Sequence, residues 1–188
     1  YTFIFIMSNI FFTSDQHYGH GNIIKYCNRP FSSIKEMDEA MIENHNKTVK
    51  PTDTVYMLGD LAFHYKPDKI IDLTESLNGF KIWIHGNHDR HVEGFPGHQI
   101  FRITELGGKW FSPYDLTLCH YPMISWNKSF HGSFQLHGHT HGTVKFDSKI
   151  RRLDVGADVH NFTPVAWEDI VAKLSKVPTP KELGAIEE

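Results

Sequence analysis

Three histidines and two glycines lie within the seven residues from Leu136 to Gly142, which read LHGHTHG. Imidazole is the commonest metal ligand in proteins, and glycine allows the backbone to turn sharply around a bound group. The whole chain contains 14 histidines among 188 residues, more than surface positions require. A metal site, a pH sensor and coincidence all remain open for this stretch alone, so the choice depends on the rest of the chain.

Other side chains that can bind metals follow short apolar runs of the sequence. They are Asp15 and His17 after NIFFT, Asp60 at the end of TVYMLGD, Asn87, His88 and Asp89 after KIWIHG, His120 after LTLC, and His139 and His141 after SFQLHG. In open α/β sheets, ligands bind beyond the carboxyl ends of the strands. We therefore expect these side chains to converge at one end of a sheet.

The residue types in this set indicate which metals would bind. The set holds carboxylates, one amide oxygen and several imidazoles, but no thiolate. Structural zinc usually takes cysteine ligands, whereas mixed nitrogen and oxygen ligands suit manganese, iron, zinc or nickel with positions left for water. This set is too large for one tetrahedral ion even without His88 and Asp89, and it suits two ions that share a bridging carboxylate.

The order of these motifs closely resembles the calcineurin-like metallophosphoesterase family, whose pattern is Asp-x-His, Gly-Asp, Gly-Asn-His-Asp/Glu, a lone His and Gly-His-x-His. The sequence contains DQH (Asp15–His17), GD (Gly59 and Asp60), GNHD (Gly86–Asp89), the histidine of CHYP (His120) and GHTH (Gly138–His141). Each motif is weak by itself. All five in the right order, spread from residue 15 to residue 141, are a specific signature.

The resemblance implies a role for each residue of the motifs. One metal ion would be bound by Asp15, His17, Asp60 and His141, and the other by Asp60, Asn87, His120 and His139. Asp60 would then bridge the two ions. His88 would be the catalytic histidine that binds no metal, and Asp89 would orient it, as carboxylates commonly do for imidazoles. The implied fold is α/β, with two mixed β-sheets packed as a sandwich and helices on the outside.

The resemblance also implies a reaction. The expected cofactors are two divalent metal ions, with Mn²⁺ as the first candidate and Fe, Zn or Ni as alternatives. Two such ions about 3.5–4 Å apart would acidify a water that bridges them. The hydroxide would attack phosphorus in a phosphomonoester or phosphodiester while His88 donates a proton to the leaving oxygen. Because the chain is too short for a large capping domain, a compact phosphate ester or nucleotide is the expected substrate, and a short single-stranded nucleic acid is the alternative.

Several residues near the motifs have two readings that the sequence leaves open. Arg29, in NRPF, could fork onto phosphate oxygens or be an ordinary loop arginine. His20 could lie beside the metal ligands or in a plain loop. His137 is expected to pack rather than bind metal. Tyr121, Trp126 and Phe130 could form an aromatic wall for a base or aryl group, although ordinary packing is the simpler reading.

The coarse pattern of the chain predicts how these motifs are arranged. Apolar runs at residues 9–13, 54–60 and 81–87 alternate with helical spacing at 33–49 and 67–77, which predicts parallel strands joined by helices. After Gly94, short strand-like runs, including KWFSPYD, suggest a mostly antiparallel second half, followed by a late helix. The length fits one domain over residues 1–188, with 1–6 as an added or upstream extension before Met7.

Composition limits the classes of partner. The net charge of −3 gives no broad cationic face, so a grip on duplex DNA is not expected. Two cysteines fit a reducing cytoplasm, and no apolar run is long enough to span a membrane. A non-catalytic interaction scaffold is the alternative function, and its metal ligands would be expected to be weakened. An amidohydrolase would need a barrel of about 250 residues, which is longer than this chain.

Overall fold

The computed structural model describes residues 8–63, 65–89, 100, 101, 103–107 and 111–184. Within these residues the chain forms two mixed β-sheets, one of five strands and one of four, flanked by helices. The predicted α/β sandwich is therefore confirmed. The expected extension at residues 1–6 lies outside the described residues, as do His64 and His91, which follow the site motifs in sequence. No helix in the described ranges is both long and apolar enough to cross a membrane.

The first sheet comes almost entirely from the first half of the chain. Its order is β4 (Ile100–Phe101), β3 (Phe80–Ile84), β2 (Thr54–Met57), β1 (Ile10–Thr13) and β9 (Val165–Ala166). The first four strands are parallel, and only β9 is antiparallel to its neighbour. The predicted alternation of strands and helices is confirmed by the order of these elements along the chain. Parallel neighbours need a crossover connection, and helices provide it between β1 and β2 and between β2 and β3.

Within the part of the first half that the structure describes, three helices follow the strands. They are α1 (Gly21–Tyr26), α2 (Ile34–Thr48) and α3 (Pro67–Ser76). The Ser33 side chain caps α2 by accepting a hydrogen bond from the Glu36 amide, and Pro67 stands at the first position of α3. Both are common helix starts, since they satisfy or remove a free amide.

The second sheet has the order β5 (Ile103–Leu106), β6 (Leu116–Cys119), β7 (Phe134–His137) and β8 (Arg152–Asp154). Only β5 and β6 are antiparallel, whereas β6 with β7 and β7 with β8 are parallel. The prediction of a mostly antiparallel second half is therefore wrong. The long segments at 120–133 and 138–151 act as crossovers rather than hairpin loops. The run KWFSPYD is also no strand where it is described, because residues 111–113 form a turn.

Alternating side chains of β1 show how the layers pack. Phe12 points into the core between the sheets, which also contains Leu118 and Leu136 of the second sheet. Phe11 points to the opposite face and packs in a second core with Met37 and other residues of the helices. The last helix, α4 (Trp167–Leu174), packs against the core between the sheets. Because residues on a strand alternate sides, this arrangement needs apolar residues at consecutive positions, as NIFFT provides.

Candidate metal centre

The predicted ligands lie together at the carboxyl ends of strands from both sheets. Asp15 and His17 follow β1, Asp60 follows β2, Asn87 follows β3, His120 follows β6, and His139 and His141 follow β7. Backbone hydrogen bonds join the loops, since the amides of Asp15 and His17 donate to the carbonyls of Gly59 and Asp60, both at 3.0 Å. The expected convergence on strand ends is therefore found in the structure.

Five of the seven predicted ligands have a left-handed backbone. Their φ angles are 58° at Asp15, 54° at His17, 57° at Asp60, 68° at His139 and 46° at His141. Such conformations cost non-glycine residues of order 1–3 kcal/mol each and persist only where the surrounding structure imposes them. A cluster of this kind is typical of a functional site, because only a specific requirement for side-chain direction justifies the strain.

Two glycines allow the ligand loops to approach one another. Gly59 has φ +91°, and a Cβ there would lie 2.6 Å from the Gly86 backbone. A Cβ at Gly138 would collide with Ser14 and with the Asp15 carboxylate. The missing side chain therefore lets the backbone of Gly86 approach Gly59, and lets the side chains of Ser14 and Asp15 approach Gly138.

The predicted ligands form two groups of three side chains whose ligand atoms are close enough to hold a metal ion. One contains Asp15, His17 and His141, and the other contains Asp60, His120 and His139, with all ligand atoms of a group within 4.8 Å of one another. These groups correspond to the two predicted ligand sets.

The Asp60 carboxylate lies between the two groups. Its Oδ2 is 3.6 Å from His17 Nε2 and 3.5 Å from His120 Nε2. One oxygen atom thus faces a ligand of each group, which is the position required of a bridging carboxylate. Asn87 belongs with the second group, since its Oδ1 lies 3.1 Å from His120 Nε2.

The side chains fit cations in their chemistry as well as in their spacing. His17 is buried, yet neither of its ring nitrogens has a hydrogen-bond partner among the described residues. Leaving such a group unpaired costs about 1–3 kcal/mol. The Nδ1–H of His120 donates to the Leu58 carbonyl at 2.7 Å, which turns the lone pair of Nε2 towards the oxygens of Asp60 and Asn87. A cation would satisfy all of these converging lone pairs.

Burial without a cation perturbs the charges of the ligands. It raises the pKa of Asp15 to about 6 and lowers the pKa of His17 to about 3. For Asp60, burial is outweighed by the hydrogen bond and charge of His120, so its pKa falls to about 2. For His141, burial is outweighed by the hydrogen bond to Asp158, and its pKa rises to about 10. Strongly perturbed groups that cluster in one cleft are typical of functional sites.

Asp158 is a residue of the centre that the sequence analysis missed. The Nδ1–H of His141 donates to Asp158 Oδ2 at 2.7 Å, which leaves Nε2 directed towards Asp15, 3.9 Å away. Asp158 follows β8, so the strand-end rule applied to the run IRRLDVG would have pointed to this segment. Asp158 and His141 also form a third close group with the Cys27 thiol.

Arg29 is not placed to bind a phosphate, contrary to one of its two readings. Its guanidinium is buried, with Nε and Nη2 donating to the Asp158 carboxylate at 2.7 and 2.8 Å. Nη1 and Nη2 also donate to the carbonyls of Gln16 and Asp15, each at 2.7 Å, and Nη1 contacts Met37 Sδ. The guanidinium N–H donors are engaged inside the protein. Arg29 instead fixes the backbone that carries Asp15.

Asp89 does not orient His88, so this prediction is also corrected. The Asp89 carboxylate is buried and accepts hydrogen bonds from the backbone amides of Asp60, Leu61 and Gly86, at 2.8, 3.1 and 2.8 Å. It ties the loop after β2 to the loop after β3. Its effect on the site passes through the position of Asp60.

His88 faces the centre without joining either group of ligands. Its backbone amide donates to Asp60 Oδ1 at 2.9 Å, and its Nε2 lies 4.0 Å from Asp60 Oδ2. The side chain is 39% exposed, in contrast to the buried ligands Asp15 and His120. This location suits a group that exchanges protons with a bound molecule.

The structure also decides between the alternatives left open for His20 and for the aromatic residues near His120, and it tests the expectation for His137. His20 lies beside the ligands, with its ring 5.5 Å from that of His17. His137 is buried with its Nδ1 bonded to the Gly138 carbonyl, as expected of a packing residue. The Tyr121 ring lies 4.7 Å from that of His139, but Trp126 is buried and donates to Ser133, while Phe130 is exposed. Tyr121, Trp126 and Phe130 therefore do not form one continuous aromatic wall among the described residues.

A groove of about 810 Å³ runs from the centre over His17 and His20 towards α1. It is lined at one end by Asp60, His88 and His139. The candidate metal ligands are therefore accessible to a small molecule.

Comparison with known proteins shows relatives of similar length. The chain is 38% identical over 176 residues to the uncharacterized protein MJ1445 of Methanocaldococcus jannaschii, covering 90% of this chain and 93% of that protein. It is 26% identical over 197 residues to the Gene 66 protein of Mycobacterium phage L5, covering 89% and 91%. No family model matches the chain.

A solved structure shares the fold. The crystal structure of AQ665, a protein of unknown function from Aquifex aeolicus, superposes with a TM-score of 0.71 at 22% identity. The match covers 88% of this chain and 99% of that one. The two-sheet architecture is thus found in an experimental structure over nearly the whole length of both chains.

Proposed function

We propose that this chain, which belongs to the family of the Methanocaldococcus jannaschii protein MJ1445, is a metal-dependent phosphoesterase of the calcineurin-like type. It would hydrolyse phosphomonoesters or phosphodiesters with two divalent ions. Manganese is the first candidate, and iron, zinc and nickel are the alternatives, because the donors are nitrogen and oxygen only.

One observation carries the proposal. Asp60 Oδ2 lies 3.6 Å from His17 Nε2 and 3.5 Å from His120 Nε2, between two separate groups of metal-binding side chains. A single structural ion needs only one closed set of ligands. Two adjacent open sets that share a carboxylate are the arrangement used for displacement at phosphorus.

The ions, when bound, would supply Lewis acidity towards water and towards the phosphoryl oxygens. The residues of the chain would hold these ions in place. Asp15, His17 and His141 would hold one ion, Asn87, His120 and His139 would hold the other, and Asp60 would contact both. Five of these residues have a strained backbone that the surrounding structure imposes, so their side chains would be positioned before any ligand binds.

The position of His88 supports a role for its imidazole in proton transfer. It is half-exposed at the groove and is fixed through its backbone by Asp60 rather than through its ring. Its imidazole can therefore donate a proton to the leaving oxygen, a contribution that is typically 10²–10⁴-fold in rate.

The groove supports a diester or a nucleotide more than a highly charged monoester. Among its described lining residues there is no lysine or arginine, and Arg29 is turned away to Asp158. We expect aryl diesters or cyclic nucleotides to be cleaved at least as well as simple aryl monoesters. Short single strands belong to the same test.

The experiment begins with protein stripped of metal by a chelator and reloaded with manganese, nickel, zinc or iron. Hydrolysis of aryl monoesters, aryl diesters, cyclic nucleotides and short single strands is then measured for each metal. Native protein should act only when reloaded, whereas Asp60→Asn should lose both bound metal, by elemental analysis, and rate. A reloaded native protein that binds two metals yet cleaves none of these esters would favour the interaction scaffold.

A further inference from the structure

Four aromatic side chains form one wall of the groove that leaves the metal centre. The ring of His88 lies 5.1 Å from that of Phe63, Phe63 stacks on His20 at 4.2 Å, and His20 lies 6.4 Å from Tyr26. All four residues line the groove. We call this row of rings the aromatic track. It leads from the metal centre to the end of α1.

The position of His88 determines how a leaving group would lie along the aromatic track. If His88 protonates the leaving oxygen, as the proposed function has it, the leaving group must extend from His88 along the groove. The body of the leaving group would then lie over Phe63 and His20 and reach Tyr26. Tyr26 is 75% exposed at the far end, so its ring has a free surface for stacking.

The charge of the groove limits what the leaving group can be. Apart from Asp60, its described lining contains no aspartate, glutamate, lysine or arginine. A leaving group with further phosphates or carboxylates would find no lysine or arginine there as a counter-ion. A neutral leaving group avoids that cost, because it brings no charge that must be desolvated.

Two amide side chains stand beside the far end of the track. Asn22 and Asn28 both line the groove and are exposed, and their side-chain amides make no hydrogen bond to other described residues. An amide offers a donor and an acceptor side by side, which matches the edge of a nucleobase. A plain aryl alcohol would leave both amides unused.

We propose that the aromatic track is a binding site for a nucleoside, with the base stacked on Tyr26 and its edge facing Asn22 and Asn28. The inference rests on the proposed function for the orientation of the leaving group. It makes the substrate a phosphate ester of a nucleoside, and the site should also bind the free nucleoside product. Stacking of bases on exposed aromatic rings is favourable and tolerant of base identity.

The test measures binding of free adenosine, guanosine, cytidine and uridine to the metal-loaded full chain by calorimetry, with ribose as the negative probe. The same nucleosides are tested as inhibitors of aryl diester hydrolysis. At least one nucleoside should bind and compete with the diester, and ribose should do neither. If all four nucleosides fail to bind, the inference is overturned.

Variants of Tyr26 connect the binding to the track. Tyr26→Ala should weaken nucleoside binding by roughly five- to a hundredfold, the usual range for loss of one stacking partner. Tyr26→Phe keeps the ring and should bind as the native chain does. Phe80→Ala removes another exposed aromatic ring at the amino end of β3, away from the strand ends that hold the centre, and should have no effect. Equal affinity of Tyr26→Ala and native chain would overturn the inference.

Asn22→Ala is a second, independent variant, which removes an amide that would face the edge of the base. It should weaken nucleoside binding, and nucleosides should still bind better than ribose.

The two proposals fail in different ways. If the native chain cleaves aryl diesters but binds no nucleoside, the nucleoside site is refuted and the function stands. If nucleosides bind through Tyr26 but no ester is cleaved, the site stands and the function is refuted.

Discussion

His141 donates its Nδ1–H to Asp158 across 2.7 Å, and the same carboxylate receives two hydrogen bonds from Arg29. Arg29 also holds the carbonyls of Asp15 and Gln16. One buried network therefore fixes ligands from β1 and from β7, which belong to different sheets. Groups that hydrogen-bond to metal-binding imidazoles set both their direction and their basicity.

Asp158→Asn should weaken metal binding, because the imidazole of His141 loses an anionic partner and Arg29 loses its counter-ion. The dissociation constant for the metal bound by His141 should rise about 10–100-fold. Competition with a chelator of known affinity measures it directly, without reference to activity. Asp169→Asn, an exposed aspartate in the first turn of α4, serves as the control. Unchanged metal affinity in Asp158→Asn would show that the contact does not support the site.

Arg29→Met should destabilise the fold itself. The substitution removes the guanidinium from Asp158, which keeps only the His141 imidazole as a partner, and it frees two buried carbonyls. Breaking a buried ion pair from one side costs about 3–5 kcal/mol. Urea unfolding of the metal-free protein measures the loss in the free energy of unfolding. Lys47→Met breaks the exposed pair with Glu43 and should cost under about 1 kcal/mol. Similar losses in the two variants would contradict the central role of Arg29.

His88→Asn tests proton transfer rather than membership of a family. The variant should keep both metals, because His88 belongs to neither group of ligands. A nitrophenolate leaves easily without a proton and an alkoxide does not, so the rate on an alkyl ester should fall further, by about 10²–10⁴-fold. His131→Asn, an exposed histidine outside the centre, is the matched control. Loss of a metal, or equal losses on both esters with chemistry rate-limiting, would exclude a general acid.

His45 should make stability sensitive to mild acid. It is buried in α2, its Nε2 bonds to the Asn78 carbonyl at 2.9 Å, and burial lowers its pKa below the ordinary 6.5. As the pH falls, the unfolded chain binds a proton at His45 before the folded chain does. The contribution of His45 to the free energy of unfolding is therefore fully present above about pH 6.5 and is lost as the pH falls towards the pKa of the folded state. Relative to His45→Gln, the native protein should lose free energy of unfolding between pH 7 and 5. Parallel pH profiles for the two proteins would contradict this.

The residue types and the order of the motifs already determined much of the centre. Glycine and a following ligand at Gly59 and at Gly138 marked where strands end, and runs such as NIFFT marked strands buried on both faces. These signals are local, because backbone strain and alternate burial act within a few residues. The strand and helix order of the first half could be read for the same reason.

Pairing direction and long-range contacts were decided only by the tertiary structure. The spacing of β6, β7 and β8 looks the same in sequence whether the strands are parallel or antiparallel, since only the path of the connecting segment distinguishes them. Arg29 and Asp158 are 129 positions apart, and no local pattern joins them. Asp89 likewise stands next to His88 in sequence, but its carboxylate bonds to the loop after β2. A short polar side chain bonds to whichever buried donors lie within reach, and the packing of the two sheets determines which donors those are.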